Sequence, residues 1–199
     1  MVKGAAENIA NDFLERGFSV CNNFISSEDA KKLARSIEEQ RDSFHKAGIG
    51  DKNNLQVNKA IRGDFIKWID EKENALFHSL YVNKLWPIIE LFNQRFFLVI
   101  ASNEHHMAYY PPGTHYEKHV DTFKSNDARV VSTVLYLNQN WKAADGGELV
   151  IYPETGGSQK IEPLAGRLVL FESVLPHEVL TSFAPRYSIT GWFKRRTSF

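Results

Sequence analysis

From Phe96 onward the chain breaks into short apolar runs parted by Pro, Gly, Asn and Asp, a punctuation that restricts this half to an all-β sandwich or barrel. The predicted strands are Ala101–Tyr110, His115–Val120, Val130–Leu137, Glu148–Tyr152, Lys160–Glu162, Arg167–Phe171, Glu178–Thr181 and Tyr187–Lys194. A set of this size suits a double-stranded β-helix, or jelly roll. Gly146-Gly147 and Gly156-Gly157 read as hairpin turns and not as phosphate loops, since no helix follows either pair.

The first half reads differently. Glu7 to Arg16 is a predicted helix and Phe18 to Val20 a strand; Ser26 or Ser27 then caps a helix running through Leu33 and Ile37 to about Phe44. Ala47 to Asn54 is polar and glycine-bearing, which predicts a mobile loop leading to a strand around Ile61 to Trp68. Asn74 to Phe92 follows as a helix punctuated by Pro87, and His45 and His78 are assigned to helices. The expectation is an α+β chain in which helical support over about 1–95 carries a jelly-roll core over about 96–195, as one domain spanning 1–199. A hydrophobic fraction of 43% is enough for a sizeable core.

Charge and cysteine usage narrow the chemistry. Lys plus Arg (24) equals Asp plus Glu (24), so no basic field favours a phosphate backbone, and nucleic-acid binding is not expected. Cys21 is the one cysteine, which rules out an internal disulfide and thiolate-rich metal sites. The N-terminal segment lacks the apolar core of a signal peptide, and the longest apolar run, Phe96 to Ala101, is too short to span a bilayer. A cytoplasmic protein without a membrane role, monomeric, is the expectation.

Within the β half, His119-Val120-Asp121, a remote His177 and then Arg186 form the set with most chemical content. On an extended strand residues i and i+2 share a face roughly 6–7 Å apart, so His119 and Asp121 chelate one ion. His177 from another strand completes a two-histidine, one-carboxylate face that leaves positions on ferrous iron open for substrate and oxygen. Strand parity adds a test. With Arg186 facing inward, Ser188, Thr190 and Trp192 share its face, while Tyr187, Ile189 and Phe193 take the other. A polar inner stripe is costly in a dry core, about 1–3 kcal/mol per unpartnered group, and suits an anion pocket. Arginine grips carboxylates bidentately. On Val130–Leu137 the same parity groups Ser132, Val134 and Tyr136. The segment His177 to Arg186 reads as a hairpin turning near Phe183 to Pro185, which returns Arg186 to His177 and leaves room for a keto dicarboxylate shaped like 2-oxoglutarate.

Three segments, Tyr110-Pro-Pro-Gly-Thr-His-Tyr116-Glu-Lys-His119-Val-Asp121, Pro176-His177-Glu178-Val179 and Arg186-Tyr-Ser-Ile-Thr-Gly-Trp192, resemble the iron(II)/2-oxoglutarate prolyl 4-hydroxylase superfamily. Arg62-Gly63-Asp64 followed by Trp68 points further to the hypoxia-inducible-factor type and its bacterial relatives, and the likeness runs from about Ile61 to Lys194. The resemblance implies that His119, Asp121 and His177 ligate iron, and that Arg186 binds 2-oxoglutarate with Tyr136 and Thr190 nearby and Tyr110 beside it. It implies too that Arg62, Asp64 and Arg129 organise the entrance, that Tyr116 and Trp192 line the target proline, and that residues around 48–61 form a lid. Dioxygen is the implied oxidant, ascorbate an accessory reductant, and succinate and CO2 the co-products. The implied partner is a proline-containing protein, with a translation factor as a candidate. The pattern departs from the animal oxygen sensors by one residue fewer in Tyr110–Tyr116, one more in Thr122–Ala128, and a short run after Trp192.

Two other functions compete on sequence: a 2-oxoglutarate oxygenase acting on a small molecule or free amino acid, and a non-enzymatic jelly roll holding zinc in the site of two histidines and a carboxylate. His105 and His106 fall on opposite faces of one strand and are read as structural. His115 shares parity with His119 but reads as a solvated loop residue, and an Asp64–Arg129 ion pair is expected to contribute little if exposed.

Overall fold

Two antiparallel sheets face each other in a computed structural model of the chain, which describes residues 3–48, 61–70, 74–122 and 128–196. Most of the loop expected over Ala47–Asn54 and of the lid expected around 48–61 lies outside these residues. Helix α1 (Lys3–Arg16) precedes β1 (Phe18–Cys21), and α2 (Ser27–Glu39) leads to β2 (His45–Lys46) and β3 (Phe65–Trp68). A helical stretch follows as α3 (Ala75–Phe77), a π turn (His78–Val82) and α4 (Asn83–Phe96). The remaining strands are β4 (Ile100–Tyr110), β5 (Thr114–His119), β6 (Arg129–Tyr136), β7 (Leu149–Ile151), β8 (Gln159–Ile161), β9 (Leu168–Glu172), β10 (His177–Ser182) and β11 (Arg186–Arg195).

The larger sheet runs β1-β9-β6-β11-β4-β3-β2 and the smaller β5-β10-β7-β8, so β4 to β11 make the jelly roll. Three strands from the first half extend the larger sheet at its edges: β1 and β3 fall on the strands expected at Phe18–Val20 and Ile61–Trp68, and β2 is the unexpected one. His45 therefore lies on an edge strand, not on a helix. The predicted helix to Phe44 stops at Glu39, where Gln40 takes a tighter bond back to Ile37 and a short 3-10 turn follows. Its start matches the capping argument: Ser26 Oγ accepts the Asp29 N–H at 3.0 Å, and Glu28 and Asp29 sit at the positive end. Helix α4 runs past Pro87 to Phe96 and ends with Phe97 at φ +54.

Strands β6 and β9, inside the larger sheet, are buried on both faces, which is why they read as near-continuous apolar runs. Val131, Leu135, Leu168, Leu170, Ile189 and Phe193 point toward a core made with Leu33, Ile37, Leu85 and Phe92 from the helices. Val134, Val169 and Phe171 point the other way, to Leu149, Ile151 and Val179 of the smaller sheet. The alternation on β11 is the one its parity predicts. The segment from β10 to β11 is not a hairpin, however: β10 pairs with β5 and β7, while β11 pairs with β4 and β6. The chain crosses from one sheet to the other between Ser182 and Arg186, and both ends still open onto the space between the sheets.

Candidate active site

His119 and His177 face each other across the last rung of the smaller sheet, paired in register where β5 ends and β10 begins. Strand β5 stops at His119, so Asp121 lies in the bend just beyond it and does not extend the strand as expected. Its N–H donates to Ser173 O at 3.0 Å, which tethers the bend to the end of β9. The ligand atoms of the three residues lie within 4.8 Å of one another. Asp121 Oδ1 stands 3.8 Å from His119 Nε2 and Oδ2 stands 3.5 Å from His177 Nε2.

Both imidazoles are set by the chain two residues before them. His119 Nδ1 is 2.7 Å from Glu117 O and His177 Nδ1 is 2.9 Å from Leu175 O. A carbonyl accepts only from a protonated Nδ1, so in neutral rings both Nε2 atoms are left as lone-pair donors toward the centre. Ser132 Oγ donates to Asp121 Oδ2 at 2.6 Å and is itself 2.9 Å from Ser173 Oγ. Burial raises the Asp121 carboxyl, but the His177 and His119 charges and the Ser132 bond outweigh it and bring the pKa down to about 2. Burial, reinforced by His177, lowers His119 to about 4. At neutral pH the site therefore presents a carboxylate and a neutral His119 imidazole, the protonation a divalent metal requires. Two nitrogens and one oxygen on one side fit iron(II) and leave its other side open.

Arg186 opens onto the same pocket and is 1% exposed. Its Nε donates to Gly147 O at 2.9 Å, and its guanidinium carbon lies 4.8 Å and 5.1 Å from the Tyr110 and Tyr136 ring centroids. Among the described residues no carboxylate stands within ion-pair distance of it. The Tyr136 hydroxyl is buried with no hydrogen-bond partner among the described residues, and burial pushes its pKa up to about 12. A buried cation and an orphaned hydroxyl side by side fit a bound carboxylate, because either alone is costly to bury.

Of the residues singled out from sequence, His119, Asp121, His177, Arg186, Tyr110, Thr190, Tyr116, Arg62, Arg129 and Trp192 line this pocket. Tyr136 and Asp64 stand behind it, against Arg186 and Arg62 respectively. The charges pair differently from expectation. Asp64 takes both Nε and Nη2 of Arg62, at 2.6 and 2.9 Å, and Arg129 is held by Glu104 at 2.7 Å. Arg129 also lies 3.8 Å from the Trp192 ring centroid. Sequence reasoning missed Ser132 as the Asp121 partner, although parity had placed it on the right face. It also missed His45 and His106 on the pocket wall and the carbonyl of Gly147. Gly147 is no hairpin residue, since the strands before and after it, β6 and β7, lie in different sheets; at φ +67 it packs so closely that a Cβ would fall 3.0 Å from Arg186 Cδ. No residue type announces a carbonyl.

A family model described as the 2OG-Fe(II) oxygenase superfamily matches residues 105–194. The crystal structure of a Pseudomonas putida prolyl-4-hydroxylase superposes with a TM-score of 0.86 at 35% identity, covering 97% of this chain and 100% of that one. The chain belongs to the 2OG-Fe(II) oxygenase superfamily. Within it the chain stands close to hypoxia-inducible-factor-type prolyl hydroxylases. A Trichoplax adhaerens prolyl hydroxylase, solved with a hypoxia inducible factor peptide fragment, gives a TM-score of 0.85 at 32% identity over 95% of this chain and 88% of that one. The Caenorhabditis elegans hypoxia-inducible factor prolyl hydroxylase is 36% identical over 94% of this chain, which spans only 28% of that relative's length. In this superfamily member no helix among the described residues is long and apolar enough to cross a membrane.

Proposed function

We propose that this oxygenase hydroxylates a prolyl residue of a protein substrate, consuming 2-oxoglutarate and dioxygen. The observation that carries the reading is Arg186, a buried guanidinium without a carboxylate partner among the described residues, opening onto the pocket that holds the His119, Asp121 and His177 face. His119, Asp121 and His177 would hold iron(II), which would supply the oxidation of the prolyl ring at the expense of 2-oxoglutarate and dioxygen, with succinate and CO2 as co-products.

The chain's own groups do the placing. Arg186 receives the far carboxylate of the diacid, with the Tyr136 hydroxyl as a second donor and Thr190 and Tyr110 beside it. Gly147 O holds the guanidinium through Nε, so its two terminal nitrogens are left for the carboxylate. Ser132 and the two carbonyls behind the imidazoles keep the ligand atoms converged without requiring reorganisation when metal enters. Val134, Leu149, Phe171 and Val179 make the inner walls apolar, which excludes water from a reactive centre. Tyr116 and Trp192 form the wall offered to the target proline, and Arg62 and Arg129 frame the entrance, with Asp64 holding Arg62 from behind. The likeness to a relative solved with a peptide fragment supports a protein substrate. The same reading extends to a cytoplasmic, monomeric enzyme that uses ascorbate as accessory reductant and acts on a partner such as a translation factor.

The test is incubation of the iron-loaded protein with 2-oxoglutarate and a cell extract, followed by peptide mass spectrometry and succinate measurement. The expected result is the mass of one added oxygen on a proline, with stoichiometric succinate. Succinate release with oxidation confined to free amino acids or other small molecules would overturn the protein-substrate reading.

A further inference from the structure

A regular β5 would point Tyr116 and His119 to opposite faces, because residues an odd number apart alternate sides. The register with β10 runs from His177↔His119 to Val179↔Tyr116, three steps on one strand against two on the other, so a bulge lies between. That extra residue brings Tyr116 to the pocket, where its ring stacks on the His119 imidazole with centroids 3.6 Å apart and planes 16° from parallel. It also breaks the parity that linked His115 to His119; His115 is not among the residues lining the pocket.

Tyr116 is held in turn. The Arg62 guanidinium carbon lies 4.5 Å from its ring centroid, and Arg62 is clamped bidentately by Asp64, which is 1% exposed. Residues 61–63 run along the outer edge of β5: Glu117 N–H donates to Ile61 O at 2.9 Å and Gly63 N–H to His115 O at 3.0 Å. A Cβ at Gly63 would fall 2.6 Å from Thr114 Cβ, so this approach leaves no space for a side chain there.

The two ligand imidazoles differ in how firmly the fold encloses them. His177 has 6% of its side chain exposed and meets Phe171 edge-on at 4.6 Å, whereas His119 sits at a strand end with 19% exposed. We propose that Tyr116 is a positioning residue: braced by the Arg62–Asp64 pair, it fixes the plane of the His119 ring and so aims Nε2 at the metal. This rests on the metal site of the proposed function and adds to Tyr116 a task besides lining the target proline.

The test is Mn(II) titration of the metal-free protein, without 2-oxoglutarate or substrate, read from the electron paramagnetic resonance of free Mn(II), with thermal melting as the folding control. Tyr116→Leu is expected to weaken Mn(II) binding about tenfold, in the range seen when a ligand's supporting partner is lost. Tyr116→Phe keeps the ring and stays within about twofold of wild type. The double variant Arg62→Gln, Asp64→Asn removes the brace without stranding a buried charge; it weakens binding in the same direction, and combining it with Tyr116→Leu costs little more, since the brace acts through the ring. Gly63→Ala, which leaves all four side chains in place, weakens binding as well. If Tyr116→Leu binds Mn(II) like wild type, the proposal is overturned while the metal site stands. If wild type itself binds no Mn(II), the metal reading falls and takes this one with it.

Discussion

Replacing Arg186 by methionine separates the diacid pocket from the fold. The guanidinium is 1% exposed, bonded to Gly147 O and unmatched by a carboxylate among the described residues, so the empty protein bears the cost of burying it. Arg186→Met removes that cost at similar length, and the melting temperature of the metal-loaded protein without 2-oxoglutarate is expected to hold or rise. Binding should respond oppositely. Losing one partner of a buried charged pair costs about 3–5 kcal/mol, roughly 160-fold or more in Kd. At 2-oxoglutarate a hundredfold above the wild-type Kd, ligand linkage adds about 2.7 kcal/mol, roughly 5–10 °C for a chain of this size. In the variant the same concentration adds at most about 0.3 kcal/mol, near 1 °C. Arg186→Lys keeps the charge but loses the planar fork and the Gly147 bond, and should fall between. The assay is a thermal shift series in Mn(II) with and without 2-oxoglutarate. A wild-type shift in Arg186→Met would show that the diacid is gripped elsewhere.

Two further expectations concern the supports of the site. Gly147→Ala puts a Cβ 3.0 Å from both Arg186 Cδ and Ser182 Oγ at a residue with φ +67, so it should reduce stability by about 1–3 kcal/mol and weaken 2-oxoglutarate binding, measured by urea unfolding and the same thermal shift; an unchanged 2-oxoglutarate response would dissociate the carbonyl from the Arg186 seat. His105 and His106 are each 2% exposed, and burial lowers both, His105 to about 3 and His106 well below its ordinary value. The unfolded chain therefore binds protons below about pH 6.5 that the folded chain does not, and stability should fall between pH 7 and pH 5, by about 2 kcal/mol for His105 and in the same direction for His106, a loss that continues until the folded values are reached. Urea midpoints independent of pH over that range would contradict it.

Residue type and alternation determined much of this protein. The polar stripe Arg186, Ser188, Thr190 and Trp192 against the apolar Tyr187, Ile189 and Phe193 is written into β11, because successive side chains on a strand must take opposite faces whatever the strand pairs with. The donor set of His119, Asp121 and His177 was legible for the same local reason, even though Asp121 leaves the strand. Tertiary structure decided what depends on a partner. The bulge in β5 exists only against the register of β10, and it swaps which of His115 and Tyr116 reaches His119. The crossing from β10 to β11 follows from which sheet each strand joins, and a turn signal looks alike in either case. Charge pairing behaved likewise: Asp64 with Arg62 and Glu104 with Arg129 are choices among several acids and bases, settled by distances in the folded chain that no spacing along it encodes.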